Sequence, residues 1–194
     1  TTNELANLAA QAGRFGVEGP ENIEEFTRVA GEMGAATTLS AQEAGRSLAK
    51  VAEATGEPLS DVQELGDSIN ELSNNFATNS QEIVDAAQRG GFALQDLGLQ
   101  SDQILGLSAA MNEVAPTSRR AATMMEMMTE AVRDPGNAEA FANLLGTTTE
   151  EFKTLRDENP EQLFLSIAEK METNESAAET LRQQLANRQA RAFE

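Results

Sequence analysis

Cysteine, histidine, tryptophan and tyrosine are all missing from these 194 residues. Without cysteine there is no disulfide framework, no thiolate zinc site and no thiol nucleophile. Without histidine the chain lacks the commonest general base near neutral pH, and the usual transition-metal ligands are gone as well. A glycosidase built on carboxylates alone is disfavoured too, because no Trp or Tyr offers a flat face to a sugar ring. Cations are scarce: 14 Lys and Arg face 32 Asp and Glu, for a net charge of −18. The acidic excess is dispersed along both halves and not gathered in a tail. Such a surface repels phosphate, so no specific nucleic-acid partner is expected; a soluble acidic exterior is its ordinary consequence. Apolar runs fall far short of the roughly 20 residues of a membrane span, and no signal peptide is visible.

What the chain does have is a cadence of helix starts. Leu39-Ser40-Ala41-Gln42-Glu43, Leu59-Ser60-Asp61-Val62-Gln63, Asn79-Ser80-Gln81-Glu82-Ile83 and Leu99-Gln100-Ser101-Asp102-Gln103 recur at nearly even intervals. Each places a side-chain oxygen where it can accept a bond from an unpaired amide of the first helical turn. Ser40 with Glu43, and Ser60 with Gln63, have the spacing of full capping boxes. Intervals of roughly 20 residues hold one helix of about four turns and a short turn. Alternation of period two is sustained nowhere. The predicted fold is therefore all-α, a compact array of short antiparallel helices with no sheet.

Around this array, residues 1 to 14 read as the end of an incoming helix, broken at Gly13, Gly16, Gly19 and Pro20. A helix is predicted from Glu21 to Met33, its acidic first turn complementing the helix dipole. Gly56 and Pro58 end the Ser40 helix, Gly90-Gly91 read as the stop of the Ser80 helix, and Phe92, Leu94 and Leu97 as an apolar link into Ser101. Val62, Leu65, Ile69, Leu72 and Phe76 have the spacing of a packed helical seam. Pro116 closes the next helix and Thr117 caps another, which runs to Asp134-Pro135-Gly136-Asn137. Beyond lie Ala138 to Leu145, a Gly146 stop, a capping box at Thr148 to Glu151, a helix ending near Asn159-Pro160, and a last helix from about Ser176. The chain begins with Thr in a pattern already running at Leu5 and Leu8, and Leu181, Leu185 and Phe193 carry the pattern to the end without a stop signal. It reads as a piece of a longer protein.

Chemistry is hard to assemble from these parts. The acid pairs Glu24/Glu25 and Glu150/Glu151 sit in first helical turns, where capping explains them. Gly106-Leu107-Ser108-Ala109-Ala110 lacks the second glycine of a nucleophile elbow and lies within a helix. No Gly-rich phosphate loop with its lysine occurs, and Asp67 with Glu71 lacks the glycine and oxygen ligands of a calcium loop. No catalytic residue, cofactor or metal is assigned. Met124, Met125, Met127 and Met128 are the candidate partner-binding residues. Ala121, Met124, Met125, Met128 and Val132 share one helix face, with Met127 to one side, and methionine repacks easily against a partner; a wide core stripe is the simpler use of the same residues. Arg119 and Arg120 oppose the dipole of that helix, and pairing with nearby carboxylates is expected.

The order of these features resembles a known family. Phe15-Gly16-Val17 leads into the Ile23 to Met33 helix, then Leu39-Ser40, Ala54-Thr55-Gly56-Glu57-Pro58-Leu59-Ser60-Asp61 and Leu65-Gly66-Asp67-Ser68-Ile69-Asn70-Glu71-Leu72. The Ser80 helix, Leu97-Gly98-Leu99-Gln100-Ser101 and Arg120-Ala121-Ala122-Thr123-Met124-Met125 follow, and later Leu145-Gly146 to Phe152 and Asn159-Pro160-Glu161-Gln162-Leu163. Residues 15 to 134 resemble the core of phage tail tape measure proteins, with 135 to 194 as a helical extension that could pack on it. The resemblance implies a structural component of a phage or prophage tail. Such a protein lies in the tube lumen of the virion tail, sets tube length during assembly in the host cytoplasm, and leaves ahead of the DNA. Its implied partners are tail tube, tail assembly chaperone and baseplate proteins, with self-association also open. No long coiled coil is present, so this stretch would be a folded unit on the ruler. A generic helical scaffold or adaptor, and a cell-wall hydrolase module, are the alternatives.

Overall fold

The computed structural model describes residues 2–36 and 39–173, together with Ser176, Glu179 and Gln183. The described residues include ten α-helices and three short 3-10 turns, and no strand occurs among them. The final helix expected from Ser176 falls almost wholly outside the described residues. In order, the helices are α1 (Thr2–Ala12), α2 (Pro20–Ala36), α3 (Ala41–Thr55), α4 (Val62–Asn75) and α5 (Ser80–Gln95). After these come α6 (Ser101–Val114), α7 (Ser118–Arg133), α8 (Ala138–Leu145), α9 (Thr149–Glu158) and α10 (Pro160–Thr173).

Local chemistry sets most of these bounds. Ser40 Oγ accepts from the Glu43 amide while Glu43 accepts from the Ser40 amide, the reciprocal box that opens α3. Asn79 and Glu82 form a second box at α5, and Thr148 and Glu151 a third at α9. Gly56 and Gly146 end α3 and α8 at φ of 74° and 71°, a left-handed conformation that glycine adopts without a Cβ penalty.

Two expectations about helix ends are corrected. The Ser60/Gln63 box does not form: Pro58 opens a 3-10 turn over Leu59–Asp61, and Ser60 Oγ donates to its neighbour Asp61. Gln63 is drawn elsewhere, accepting from Arg28 and donating to Asp67. Gly90-Gly91 is not a stop. Both glycines are buried inside α5, which runs on through Phe92 and Leu94 to Gln95. They are small because other chains of atoms lie against them: a Cβ on Gly91 would sit 3.0 Å from the Ala54 carbonyl oxygen, and one on Gly90 would sit 3.3 Å from that of Ala122.

The chain forms two compact units, residues 1–96 with 100–126, and residues 97–99 with 127–194. In the first, α3 packs on α2 and α5, α5 on α6, and α1 on α2 and α3. Leu8, Phe26, Leu48, Ile69, Ile83, Leu94, Ile104, Leu105 and Met125 are fully buried there. Each buried side chain of that size contributes about 1.5–3 kcal/mol over its exposed state. In the second unit, the end of α7 joins α8, α9 and α10 around Val132, Phe141, Leu144, Phe152, Leu163 and Ile167. Phe141 and Phe152 stack there with ring centres 5.5 Å apart.

Candidate functional site

Helix α7 holds every residue singled out as a partner-binding candidate. Pro116 cannot continue α6, and Thr117 Oγ1 accepts from the Arg120 amide to start the next helix. Along α7, Ala121, Ala122, Met125, Thr129 and Val132 are buried, whereas Arg119, Arg120, Thr123, Glu126 and Glu130 are exposed. The structure therefore divides Met124, Met125 and Met128, which the sequence pattern put on one face. Met125 is fully buried, with its methyl group over Gly90 and its sulfur 3.7 Å from Ser108 Oγ. Met128 is half-buried against the core of the second unit. Met124 and Met127 remain outside, 40% and 49% exposed. Sequence periodicity grouped Met124 with Met125 because both lie within one broad arc of the wheel. Only the position of α5 decides which of them it covers.

Arg119 and Arg120 do not find the carboxylates expected for them. Ion pairs among the described residues include those of Arg28 with Glu25 and Glu32, Lys153 with Glu150, and Arg156 with Asp157, and none of these takes up Arg119 or Arg120. The first turn of α7 contains no acid, unlike those of α2 to α6 and α8 to α10. Both guanidinium groups thus project into solvent at the positive end of a helix dipole.

The carboxylates elsewhere are held in caps and pairs. The Thr147 and Thr148 hydroxyls and the Thr148 amide bring Glu151 down to about 2. Glu43 is lowered in the same way by the Ser40 hydroxyl and amide. Asp157 is lowered by its hydrogen bonds from Arg156, whose guanidinium is raised in return. Ser108 is buried in α6 and donates to the Ile104 carbonyl at 2.7 Å, the bond of a satisfied core hydroxyl and not of a nucleophile. No group of three or more acidic residues is arranged to hold a metal among the described residues, and no described helix is long and apolar enough to cross a membrane.

Among the described residues, three buried polar side-chain atoms lack a partner: Gln81 Oε1, Thr129 Oγ1 and Asn137 Oδ1. Asn137 was missed from sequence as a core residue, since Pro-Gly-Asn reads as an exposed turn. It is 5% exposed, and its amide donates to the Ala131 carbonyl at 3.0 Å, holding the corner between α7 and α8. Two surface depressions are present among the described residues. One runs along α9, lined by Glu150, Glu151, Thr154, Leu155 and Glu158, and the other lies between α2 and α4 around Val29, Met33, Gly66 and Ile69.

Among the described residues no constellation for covalent chemistry is assembled. A probable tape measure protein of Halomonas phage phiHAP-1 is 31% identical over 114 residues, which cover 55% of this chain and 13% of that protein. The chain thus matches a small part of a much longer relative. No solved structure matches it. The family model described as phage-related minor tail protein matches residues 1–187, and the chain belongs to that family.

Proposed function

We propose that this chain is a folded helical module of a tape measure protein, a structural part of the phage tail that takes part in tail assembly and in setting tube length. The observation that carries the reading is the family match along nearly the whole chain, joined by the likeness to a tape measure protein over 114 residues. The fold is in keeping with it: short capped helices, acids engaged in caps, and exposed side chains suited to protein contacts. Tail tube, assembly chaperone and baseplate proteins are the proposed partners, in the host cytoplasm during assembly and in the tube lumen afterwards. Deleting residues 15 to 134 in an otherwise intact phage tests this by electron microscopy of the particles. Loss of tails, or tubes of altered length, is expected. Unchanged tail yield and tube length would refute it.

A further inference from the structure

We propose that the exposed stripe of α7 docks antiparallel on the acid-lined stripe of α9 in a second copy of this chain. This goes beyond the tail reading and stands or falls independently of it. On α7, Arg119 and Arg120 lead into Met124 and Met127, which follow at the three- and four-residue steps of one helix face. Among the described residues the arginines have no ion-pair partner, and the methionines are the exposed large apolar side chains of that helix. On α9 the depression of about 370 Å³ presents Glu150 and Glu151 at one end, Thr154 and half-buried Leu155 in the middle, and Glu158 at the other.

The two stripes match in length, and their uncommitted charges, Arg119 and Arg120 on α7 and Glu158 on α9, fall at the same end when the helices run antiparallel. Arg120 to Met127 and Glu151 to Glu158 each span seven residue steps, about 10 Å along a helix. Antiparallel alignment sets Arg119 and Arg120 beside Glu158, at the negative end of the α9 dipole, and runs the methionines over Leu155 and Thr154. Parallel alignment would instead bring two positive helix ends together. Glu151 is occupied by Thr147 and Thr148, and Glu150 by Lys153, whereas Glu158 makes no hydrogen bond or ion pair in the described structure. A second copy is the occupant because its own surface carries the complementary acid stripe. The contact either closes reciprocally as a two-fold dimer, each α7 on the other copy's α9, or continues from copy to copy. Each chain carries a charge of −18, so long-range repulsion opposes the encounter until salt screens it. Two stripes about 10 Å long make a contact well below the roughly 1,600 Å² of a standard interface, so the association expected is weak, in the range of about 0.1–1 mM.

Sedimentation of the purified chain over a concentration series tests this. Association that strengthens as salt rises from a low value is expected, weakened at least tenfold by Arg119→Glu with Arg120→Glu and also by Glu158→Arg. Mixing those two variants, or combining Arg120→Glu with Glu158→Arg, should restore it. Circular dichroism checks that the helices persist, and Arg119→Gln with Arg120→Gln replaces the reversal if they do not. A monomer up to about 1 mM, association indifferent to the reversals, or reversals that do not rescue each other would overturn the proposal.

Discussion

Replacing Gly91 by alanine should lower stability, although alanine is the better helix former. In an open helix interior the change is worth about 1 kcal/mol in favour of alanine. At Gly91 the new methyl would meet the Ala54 carbonyl oxygen at 3.0 Å and the Ala54 methyl at 3.3 Å, and the first of these is backbone of α3. Overpacking of this kind costs about 1–3 kcal/mol, so the balance is a net loss of about 1 kcal/mol. Gly106, in the interior of α6, supplies the control: a Cβ there meets nothing within 4 Å. Gly106→Ala should therefore stabilise by about 1 kcal/mol. For a chain of this size each change moves the melting temperature by about 2–4 °C, in opposite directions. With no Trp or Tyr to fluoresce, unfolding is followed by far-ultraviolet circular dichroism. Equal or greater stability of Gly91→Ala relative to the parent would refute the close α3–α5 contact.

Carbon-13 NMR of the side-chain carboxyls should find Glu151 titrating at about 2, and a midpoint at its ordinary 4.5 would contradict the cap geometry. Because its folded pKa is depressed, its contribution is full above 4.5 and is lost as the pH falls through the window from 4.5 to about 2. Phe152→Ala should cost about 3–5 kcal/mol, because it empties a fully buried site and removes the stack on Phe141; a loss below about 1 kcal/mol in urea unfolding would tell against that core. Asn137→Asp should destabilise more than Asn137→Ala, by about 2 kcal/mol at neutral pH, since it turns a buried carboxylate toward the Ala131 carbonyl. Equal melting curves for the two variants would remove Asn137 from the core.

Features written in three or four consecutive residues were legible in the sequence. The Ser40/Glu43 and Thr148/Glu151 boxes and the Gly56 and Gly146 stops depend only on local backbone, and the structure forms all of them. Features decided by a partner far along the chain were not. Gly90-Gly91 carries the same letters whether it ends a helix or lets Ala54 and Ala122 approach one. The Ser60/Gln63 box failed because Gln63 finds Arg28, on a different helix. The methionine run gave the helix and its amphipathic character, but its division into buried Met125 and exposed Met124 follows from where α5 lies. Arg119 and Arg120 were noticed because they oppose the dipole; that no acid reaches them needed three dimensions.

The central claim is that this chain is part of the tail itself. Mass spectrometry of tails purified away from heads, from the phage that encodes it, tests this most directly. Peptides from residues 15 to 134 should appear in the tail fraction at a constant ratio to the tube protein from one preparation to the next. Tails of normal length that contain none of these peptides would contradict it.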